Sequence, residues 1–242
     1  HLEGFGSVEG VKKAKGELFE FLMKNQKTVF VNENDHLVKS LLLPGYRNSF
    51  FYHNPFCNGT MISSDPFLNL DIQLADRRFR VKTNLIGKYN LENILAAVAI
   101  GNFFGVSDNN IKQAIEEYQP ENYRSQFIDS GRNKIVMDAY NANPSSMISA
   151  IDNFFEMEGE KKMLIIGQML ELGVAAKNEH RKVIEYLEGK LYADVVFIGD
   201  HFVEAGKGNQ FKYYKTVDDF IDEIDPAEIH SRLILIKGSR GN

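Results

Sequence analysis

The chain has 242 residues, of which 43% are hydrophobic and 25% are charged, the balance of a soluble globular protein with one large or two ordinary domains. Its formal net charge of -5 and the lack of a basic stripe exclude a general nucleic-acid binder, and no apolar run is long enough for membrane insertion. The single cysteine, Cys57, excludes an internal disulfide and a multi-cysteine metal site, which fits a reducing, cytoplasmic compartment.

The amino-terminal half mixes helices with short strands. Apolar residues at helical spacing predict a helix over 8–23, although Gly16 weakens it. A glycine inside a helix costs about 1 kcal/mol and often marks close approach by a ligand or another backbone; the alternative is that Lys15 belongs to a solvated lysine face. A second helix runs through the apolar residues 94–100, with Asn90 as its cap and Asn93 in its first turn. We also predict strands at 28–31, 49–52, 68–74 and 78–83, the last two as a hairpin, and a helix with an acidic cap at 108–118.

The pattern changes near residue 119, and we predict one domain at 1–123 and another at 124–242. In the second domain, the runs 163–166 and 233–236 are continuously apolar, which is typical of parallel strands covered on both faces. Because strands and helices alternate there, we expect an α/β fold with a doubly wound sheet. The predicted elements are strands at 135–137, 163–166, 195–198 and 233–236, with helices at 145–157, 177–190 and 217–224.

Polar or glycine-rich loops follow three of these strands, at 138–143, 167–173 and 237–240. Because the carboxyl ends of parallel strands meet at one edge of a sheet, where helix amino termini favour anions, we expect these loops to converge on a ligand site. Asp138 is the candidate to bind a ribose hydroxyl or a metal-bound water. Alternatively, Asp138 and Asn143 only close a turn through their own backbone. After Pro144, Ser145 or Ser146 is expected to cap the next helix.

Several nucleotide-binding and catalytic motifs are missing from this sequence. It contains no phosphate loop, no dinucleotide fingerprint and no serine nucleophile elbow. Two histidines are candidate ligands: His1, close to Glu3, and His180, next to Glu179 on a predicted helix. Lone histidines of this kind more often pack in a core or lie at the surface, so the pattern alone leaves their role open.

Six short motifs carry a family resemblance. They are His-Leu-Glu-Gly-Phe-Gly at 1–6, Ala-Lys-Gly-Glu at 14–17, Gly-Lys-Tyr-Asn-Leu-Glu-Asn at 87–93, Asp-Ala-Tyr-Asn-Ala-Asn-Pro at 138–144, Met-Leu-Glu-Leu-Gly at 169–173 and Lys-Gly-Ser-Arg at 237–240. In this order they resemble the Mur ligases of peptidoglycan synthesis over essentially the whole chain. The motifs at 140–144 and 237–240 are most similar to the member that adds D-alanyl-D-alanine to UDP-N-acetylmuramoyl-tripeptide. The resemblance implies the distal part of a central ATPase domain, followed by a Rossmann-like ligase domain.

The resemblance also implies an activity and its cofactors. The expected reaction is ATP-dependent amide formation through an acyl phosphate, with ATP and Mg²⁺ as cofactors and with UDP-N-acetylmuramoyl-tripeptide and D-alanyl-D-alanine as partners. His1 matches the family's magnesium ligand. Lys15 matches the catalytic lysine that is carbamylated in the family and so becomes a second magnesium ligand. We expect a cytoplasmic monomer.

The nucleotide-binding residues follow from the same motifs. Asn93 matches the family's adenine-contacting asparagine, with Asn90 supporting its turn, and Arg124 matches the arginine that reaches nucleotide phosphate or ribose. Asp138 corresponds to the ribose-binding aspartate. The other implied site residues line the same cleft (Tyr140, Asn141 and Asn143) or lie near the incoming dipeptide (Lys237, Ser239 and Arg240).

The sequence departs from the family pattern at both ends. The family's UDP-sugar-binding domain and phosphate loop belong before residue 1, and a closing helix belongs after residue 242. We therefore expect a fragment that does not catalyse the reaction alone. One alternative is a folylpolyglutamate synthetase or another amino-acid-adding Mur ligase, against which the motif at 140–144 argues. The other is a noncatalytic nucleotide-binding or scaffold protein without a phosphate loop.

Overall fold

The computed structural model describes residues 2–159, 161–190, 193–206 and 210–241. The chain forms two compact units, 1–118 and 119–242, whereas the sequence analysis put the boundary between residues 123 and 124. We call them the first unit and the second unit.

The first unit combines helices with two small sheets. In chain order its elements are α1 (Leu2–Phe5), α2 (Val8–Lys24), β1 (Val29–Asn32), α3 (His36–Lys39), β2 (Ser49–Tyr52), β3 (Cys57–Ser63), β4 (Asn69–Leu74), β5 (Arg77–Lys82), α4 (Asn90–Phe103) and α5 (Asp108–Glu117). Strands β1 and β2 pair in parallel, while β3, β4 and β5 form an antiparallel sheet. The predicted hairpin is therefore present as β4 and β5, but β3 was not predicted.

Side-chain alternation builds the core of the first unit. On β4, Leu70, Ile72 and Leu74 are buried and pack into the same cluster as Leu95 and Val98 of α4, because successive strand residues point to opposite faces. A smaller cluster joins α2 to β1. The sheet therefore holds α4, and with it the candidate residues at its start, on a rigid base.

Two predicted helix caps in the first unit are wrong. Asn90 is not the cap of α4 but its first residue; it follows Tyr89, whose side chain makes no capping hydrogen bond. The cap of α5 is not acidic, because the Ser107 hydroxyl accepts the Asn110 amide and Asp108 is the first helical residue. The acidic side chain of Asp108 in the first turn still stabilises α5, because it interacts favourably with the helix dipole.

The second unit alternates strands and helices. Its elements are β6 (Gln126–Asp129), β7 (Lys134–Asp138), α6 (Pro144–Glu156), β8 (Lys162–Gly167), α7 (Ala176–Glu188), β9 (Asp194–Ile198), α8 (Asp200–Ala205), β10 (Lys212–Tyr214), α9 (Val217–Glu223) and β11 (Leu233–Lys237). The seven predicted elements are present with shifted ends, and β6, α8 and β10 are additional.

These strands form one sheet in the order β10-β9-β8-β11-β7-β6, parallel except for β6. Phe220 of α9 packs on one face of the sheet. Helix α6 contacts β11 and buries its Phe154, and helix α8 contacts β9 and buries its Phe202. Helices thus connect the strands and cover the sheet, which confirms the predicted doubly wound α/β fold. Within the described ranges, no helix has the length and apolar character needed to span a bilayer.

Candidate functional site

Strand β11, the last in the chain, lies between β7 and β8 in the sheet of the second unit. Lys237 at its end pairs in register with Asp138 of β7 and with Ile166 of β8. All three strands run parallel, so the loops that follow them leave the sheet at the same edge. This confirms the expected convergence of the loops 138–143, 167–173 and 237–240, which we call the strand-end site.

A buried ion pair lies at the centre of the strand-end site. The Lys237 Nζ donates to Asp138 Oδ2 at 2.8 Å and contacts the carbonyl oxygen of Asn141 at 3.3 Å. Asp138 Oδ1 accepts the backbone N–H of Ser125 at 3.2 Å. The Lys237 side chain is only 2% exposed and that of Asp138 15%, so the ammonium depends on this carboxylate for its compensation. Asp138 therefore binds groups from two other segments and does not merely close its own turn.

Asn143, in contrast, binds its own neighbouring backbone, as the alternative in the sequence analysis had it. Its Oδ1 accepts the backbone N–H of Ser146 at 2.9 Å, and Ser146 Oγ accepts the Asn143 N–H, which makes a capping box at the start of α6. Ser145 Oγ also donates to Asn143 Oδ1 at 2.9 Å. The expectation that a serine is the cap is wrong, because Pro144 begins the helix and leaves Asn143 in the extended conformation that a cap requires.

Ser239 joins the three loops of the strand-end site. Its Oγ accepts the backbone N–H of Leu170 at 3.0 Å and lies 3.5 Å from both Asn141 Oδ1 and the carbonyl oxygen of Ala142. Its own N–H donates to the carbonyl oxygen of Gln168 at 3.1 Å. Because Ser239 is buried, its hydroxyl holds loops together inside the edge and does not line the surface.

Gln168 connects the strand-end site to β9. Its N–H donates to the carbonyl oxygen of Ile198 at 2.9 Å. Gly199, the next residue, has a φ of +117°, and a Cβ atom there would lie 2.5 Å from Gln168 Cδ. Only glycine fits this position without movement of its neighbour.

Two arginines lie at the exposed rim of the strand-end site. The Arg124 guanidinium stacks 3.9 Å from the centre of the Tyr140 ring, a cation–π contact, and Tyr140 is 38% exposed. The N–H of Arg240, also exposed, donates to the carbonyl oxygen of Tyr140 at 3.3 Å. Among the residues that the structure describes, none accepts a hydrogen bond from the Arg124 guanidinium. The rim therefore offers positive charge to an anionic ligand.

The other candidate nucleotide ligands lie in the first unit. Asn90 is buried and its Nδ2 donates to the carbonyl oxygen of Ile86 at 2.7 Å, while its Oδ1 accepts from Asn93 Nδ2 at 2.9 Å. Asn93 is exposed, so Asn90 orients a side chain that solvent can reach.

Of the two candidate metal ligands, the structure describes only Lys15. Lys15 is exposed on α2, and His1 lies outside the described residues. Gly16, the residue after Lys15, is buried. A Cβ atom at Gly16 would make only an ordinary contact, at 3.4 Å, with Leu41, and α2 continues through this position. Within the described part of the chain, no three histidine, cysteine, aspartate or glutamate side chains cluster as a metal site would require.

Sequence reasoning missed one polar cluster in the first unit and one hydrogen bond in the second. Glu92 of α4 accepts from Asn32 Nδ2 at 2.5 Å and contacts His53 Nδ1 at 2.9 Å. Asn32 is the last residue of β1 and His53 directly follows β2, and no local signal links positions so far apart. The backbone N–H of Ser125, which binds Asp138, was missed because a backbone donor has no signature in a sequence.

Comparison with known proteins gives matches over both units. The family model described as "Mur ligase middle domain" matches residues 1–101, and the one described as "Mur ligase, glutamate ligase domain" matches residues 123–240. The UDP-N-acetylmuramoyl-tripeptide--D-alanyl-D-alanine ligase of Bacillus subtilis is 28% identical over 100% of this chain and 54% of its own length. The Escherichia coli ligase of the same name is 29% identical over 99% of this chain and 55% of its own length.

A solved structure shares the fold. The crystal structure of MurF from Acinetobacter baumannii superposes with a TM-score of 0.83 at 27% identity, covering 99% of this chain and 54% of that one. The chain thus spans about half the length of the relatives that it matches. From the two domain matches and this fold, we conclude that the chain belongs to the Mur ligase family.

Proposed function

We propose that the protein containing this chain joins D-alanyl-D-alanine to UDP-N-acetylmuramoyl-tripeptide at the expense of ATP. The observation that carries the proposal is that proteins named for this ligase align over 99 to 100% of the chain, through both units. The strand-end site supports it, because it combines a fixed carboxylate with exposed guanidinium groups. We place the reaction in the cytoplasm and expect a monomer.

The reaction proceeds in two steps. A carboxylate oxygen of the tripeptide attacks the γ-phosphorus of ATP, and the bond to ADP breaks, which gives an acyl phosphate. The amine of D-alanyl-D-alanine then attacks the acyl carbon, and an amide, inorganic phosphate and a proton result. The protein contributes positioning and electrostatic stabilisation, the general requirement in phosphoryl transfer.

Asp138 suits the ribose of the nucleotide. Each carboxylate oxygen can accept two hydrogen bonds, and the Ser125 amide and the Lys237 ammonium each use one. Acceptor capacity therefore remains for ribose hydroxyl groups. Since Lys237 and Ser125 come from different segments, they fix the carboxylate before a ligand arrives, which lowers the entropy cost of binding.

Arg124 and Asn93 supply the other nucleotide contacts in this proposal. The Arg124 guanidinium is held flat by the Tyr140 ring, so its N–H groups remain available for phosphate oxygens. The exposed Asn93 amide, oriented by Asn90, can pair with the donor and acceptor edge of adenine.

The metal would be held by His1 and by Lys15 after carbamylation. Lys15 is exposed, so its amine is open to the carbon dioxide that carbamylation requires. The carbamate is an anionic oxygen ligand of the kind that Mg²⁺ prefers. When bound, Mg²⁺ offsets the negative charge at the phosphoryl centre.

The strand-end residues differ in how they serve the incoming dipeptide. Arg240 is exposed and can pair with its carboxylate, whereas Lys237 and Ser239 are buried and act through Asp138 and the loops. We therefore assign Arg240 the direct contact. Asn141, which is exposed, is a second candidate for contact with the dipeptide.

Phosphate release by the product of the full reading frame that encodes this chain tests the proposal. The assay contains ATP, Mg²⁺ and UDP-N-acetylmuramoyl-tripeptide, with D-alanyl-D-alanine or single amino acids as acceptor. We expect release that depends on the dipeptide, and none from residues 1–242 alone. Release with a single amino acid would assign a sister ligase. No release with any acceptor would refute the proposal in favour of a noncatalytic protein, and release that needs no acceptor would indicate a simple ATPase.

A further inference from the structure

His180 of α7 is a buried histidine to which neither the mechanism above nor the family motifs give a role. Its side chain is 0% exposed. The Phe202 ring meets it edge-on at 4.5 Å between centroids, and the His201 ring lies at 5.2 Å. A ring enclosed in this way has a fixed orientation.

Both ring nitrogens of His180 are hydrogen-bonded. Nδ1 lies 2.6 Å from the carbonyl oxygen of Ala176, and Nε2 lies 2.9 Å from the backbone nitrogen of Met169. A carbonyl can only accept and an amide can only donate, so Nδ1 carries the proton and Nε2 offers its lone pair. Burial lowers the pKa of His180 to about 4, so the ring is neutral at pH 7 and has the one donor and one acceptor that these partners need.

The two residues next to Met169 in the loop 167–173 both bind Ser239. The N–H of Leu170 donates to Ser239 Oγ at 3.0 Å, and the carbonyl oxygen of Gln168 accepts the Ser239 N–H at 3.1 Å. His180 therefore anchors the middle one of three consecutive residues, and the outer two bind Ser239.

The loop 167–173 needs such an anchor. Glu171 has a φ of +62°, a left-handed conformation that costs a non-glycine residue stability. The backbone therefore does not favour this shape by itself. The loop keeps it through the hydrogen bonds to His180, Ser239 and Ile198.

We propose that His180 is a positioning residue. Through the Met169 amide it holds the loop 167–173 against Ser239, and so it shapes the part of the strand-end site that contacts the incoming dipeptide, which we call the dipeptide end. The inference rests on the proposed function for its effect on the dipeptide, but not for the hydrogen bonds themselves. The hydrogen bond from Nδ1 stays within α7, but Nε2 takes its donor, the Met169 amide, from outside the helix. Here the Nε2 lone pair serves a loop and not α7.

The first test is NMR spectroscopy of the imidazole nitrogens in the chain of 242 residues. We expect a neutral His180 ring with its proton on Nδ1 and no titration between pH 8 and pH 5.5. Glu179 on α7 and His201 on α8 act electrostatically on this ring, the former raising and the latter lowering its pKa. A proton on Nε2 would overturn the proposal.

The second test compares His180→Phe with His180→Gln. Phenylalanine keeps the ring volume but leaves the buried Met169 amide without an acceptor, whereas the glutamine oxygen can restore one. We expect hydrogen exchange of the Leu170 amide to speed up about ten- to a hundred-fold in His180→Phe and to recover in His180→Gln. His201→Phe is the matched control and should leave this amide unchanged. Unchanged exchange, or uniform loss of protection across the second unit, would refute positioning.

The third test measures KM in the full-length protein. His180→Phe should raise KM for D-alanyl-D-alanine about ten-fold or more, with a smaller change in KM for ATP, and His180→Gln should reverse this. Equal changes in both KM values would contradict a role at the dipeptide end. If the wild-type protein releases no phosphate, the proposed function fails, while NMR and hydrogen exchange still decide whether His180 holds the loop.

Discussion

The ion pair between Lys237 and Asp138 gives the most informative single perturbation. Asp138→Asn removes the counterion of an ammonium that is 2% exposed and leaves it the Asn141 carbonyl at 3.3 Å. Removing one partner of a buried pair costs about 3–5 kcal/mol, because the other charge remains buried without compensation. Lys237→Met should cost less, since the carboxylate is 15% exposed and keeps the Ser125 amide.

The double variant separates this explanation from simple loss of packing. With both charges removed, the penalty for an unpaired charge disappears, and replacing a buried ion pair with neutral groups is often close to neutral. We therefore expect Asp138→Asn with Lys237→Met to be more stable than Asp138→Asn alone, with a coupling energy of about 2 kcal/mol or more. Lys212→Met is the control, because Lys212 and Glu223 form a surface pair that is 62% and 61% exposed. Its loss should cost less than about 0.5 kcal/mol.

The assay must report on the second unit alone, because two compact units need not unfold together. Hydrogen exchange followed by mass spectrometry on peptides from β7 and β11, across a urea series, gives the local free energy of opening. Additive effects of the two substitutions, or an Asp138→Asn variant within about 1 kcal/mol of wild type, would refute the view that each charge compensates the other.

Three further predictions concern stability and reactivity. Because burial holds the folded pKa of His180 near 4 and below its ordinary value of 6.5, the unfolded chain gains the proton first as pH falls. The free energy of unfolding should therefore decrease by about 3 kcal/mol between pH 6.5 and pH 4, and His180→Phe should flatten this dependence in urea titrations. Asn143→Ala should destabilise α6 by about 1 kcal/mol, and Asn143→Asp should keep most of the cap, as measured by the urea midpoint. Burial raises the pKa of Cys57 to about 11, so Ellman's reagent at pH 8 should react slowly with the native chain and rapidly in urea; a fast native reaction would disprove this.

Several features followed from the sequence because their causes are local. The apolar runs at 163–166 and 233–236 predicted buried parallel strands, and helical spacing predicted α2, since side-chain periodicity is set by backbone geometry. The polar loops after β7, β8 and β11 predicted one ligand edge, because parallel strands end on the same side. The family resemblance likewise depended on short motifs.

The cap assignments show where local reasoning stops. A serine and an asparagine are both good caps, and the sequence 143–146 contains both types. Which one caps depends on where the chain turns into the helix, and here the extended conformation before Pro144 selects Asn143. Asn90 fails as a cap for a similar reason, because its side chain turns back to Ile86.

Only the tertiary structure decided which polar groups meet. Lys237 and Asp138 are 99 positions apart in the chain, and they become neighbours because β11 inserts between β7 and β8. His180 gained its role in the same way, when α7 folded back on the loop after β8. Periodicity and capping energies act over a few residues, and so a sequence displays them. Strand order instead depends on how all the helices and strands pack together, and no single segment encodes that.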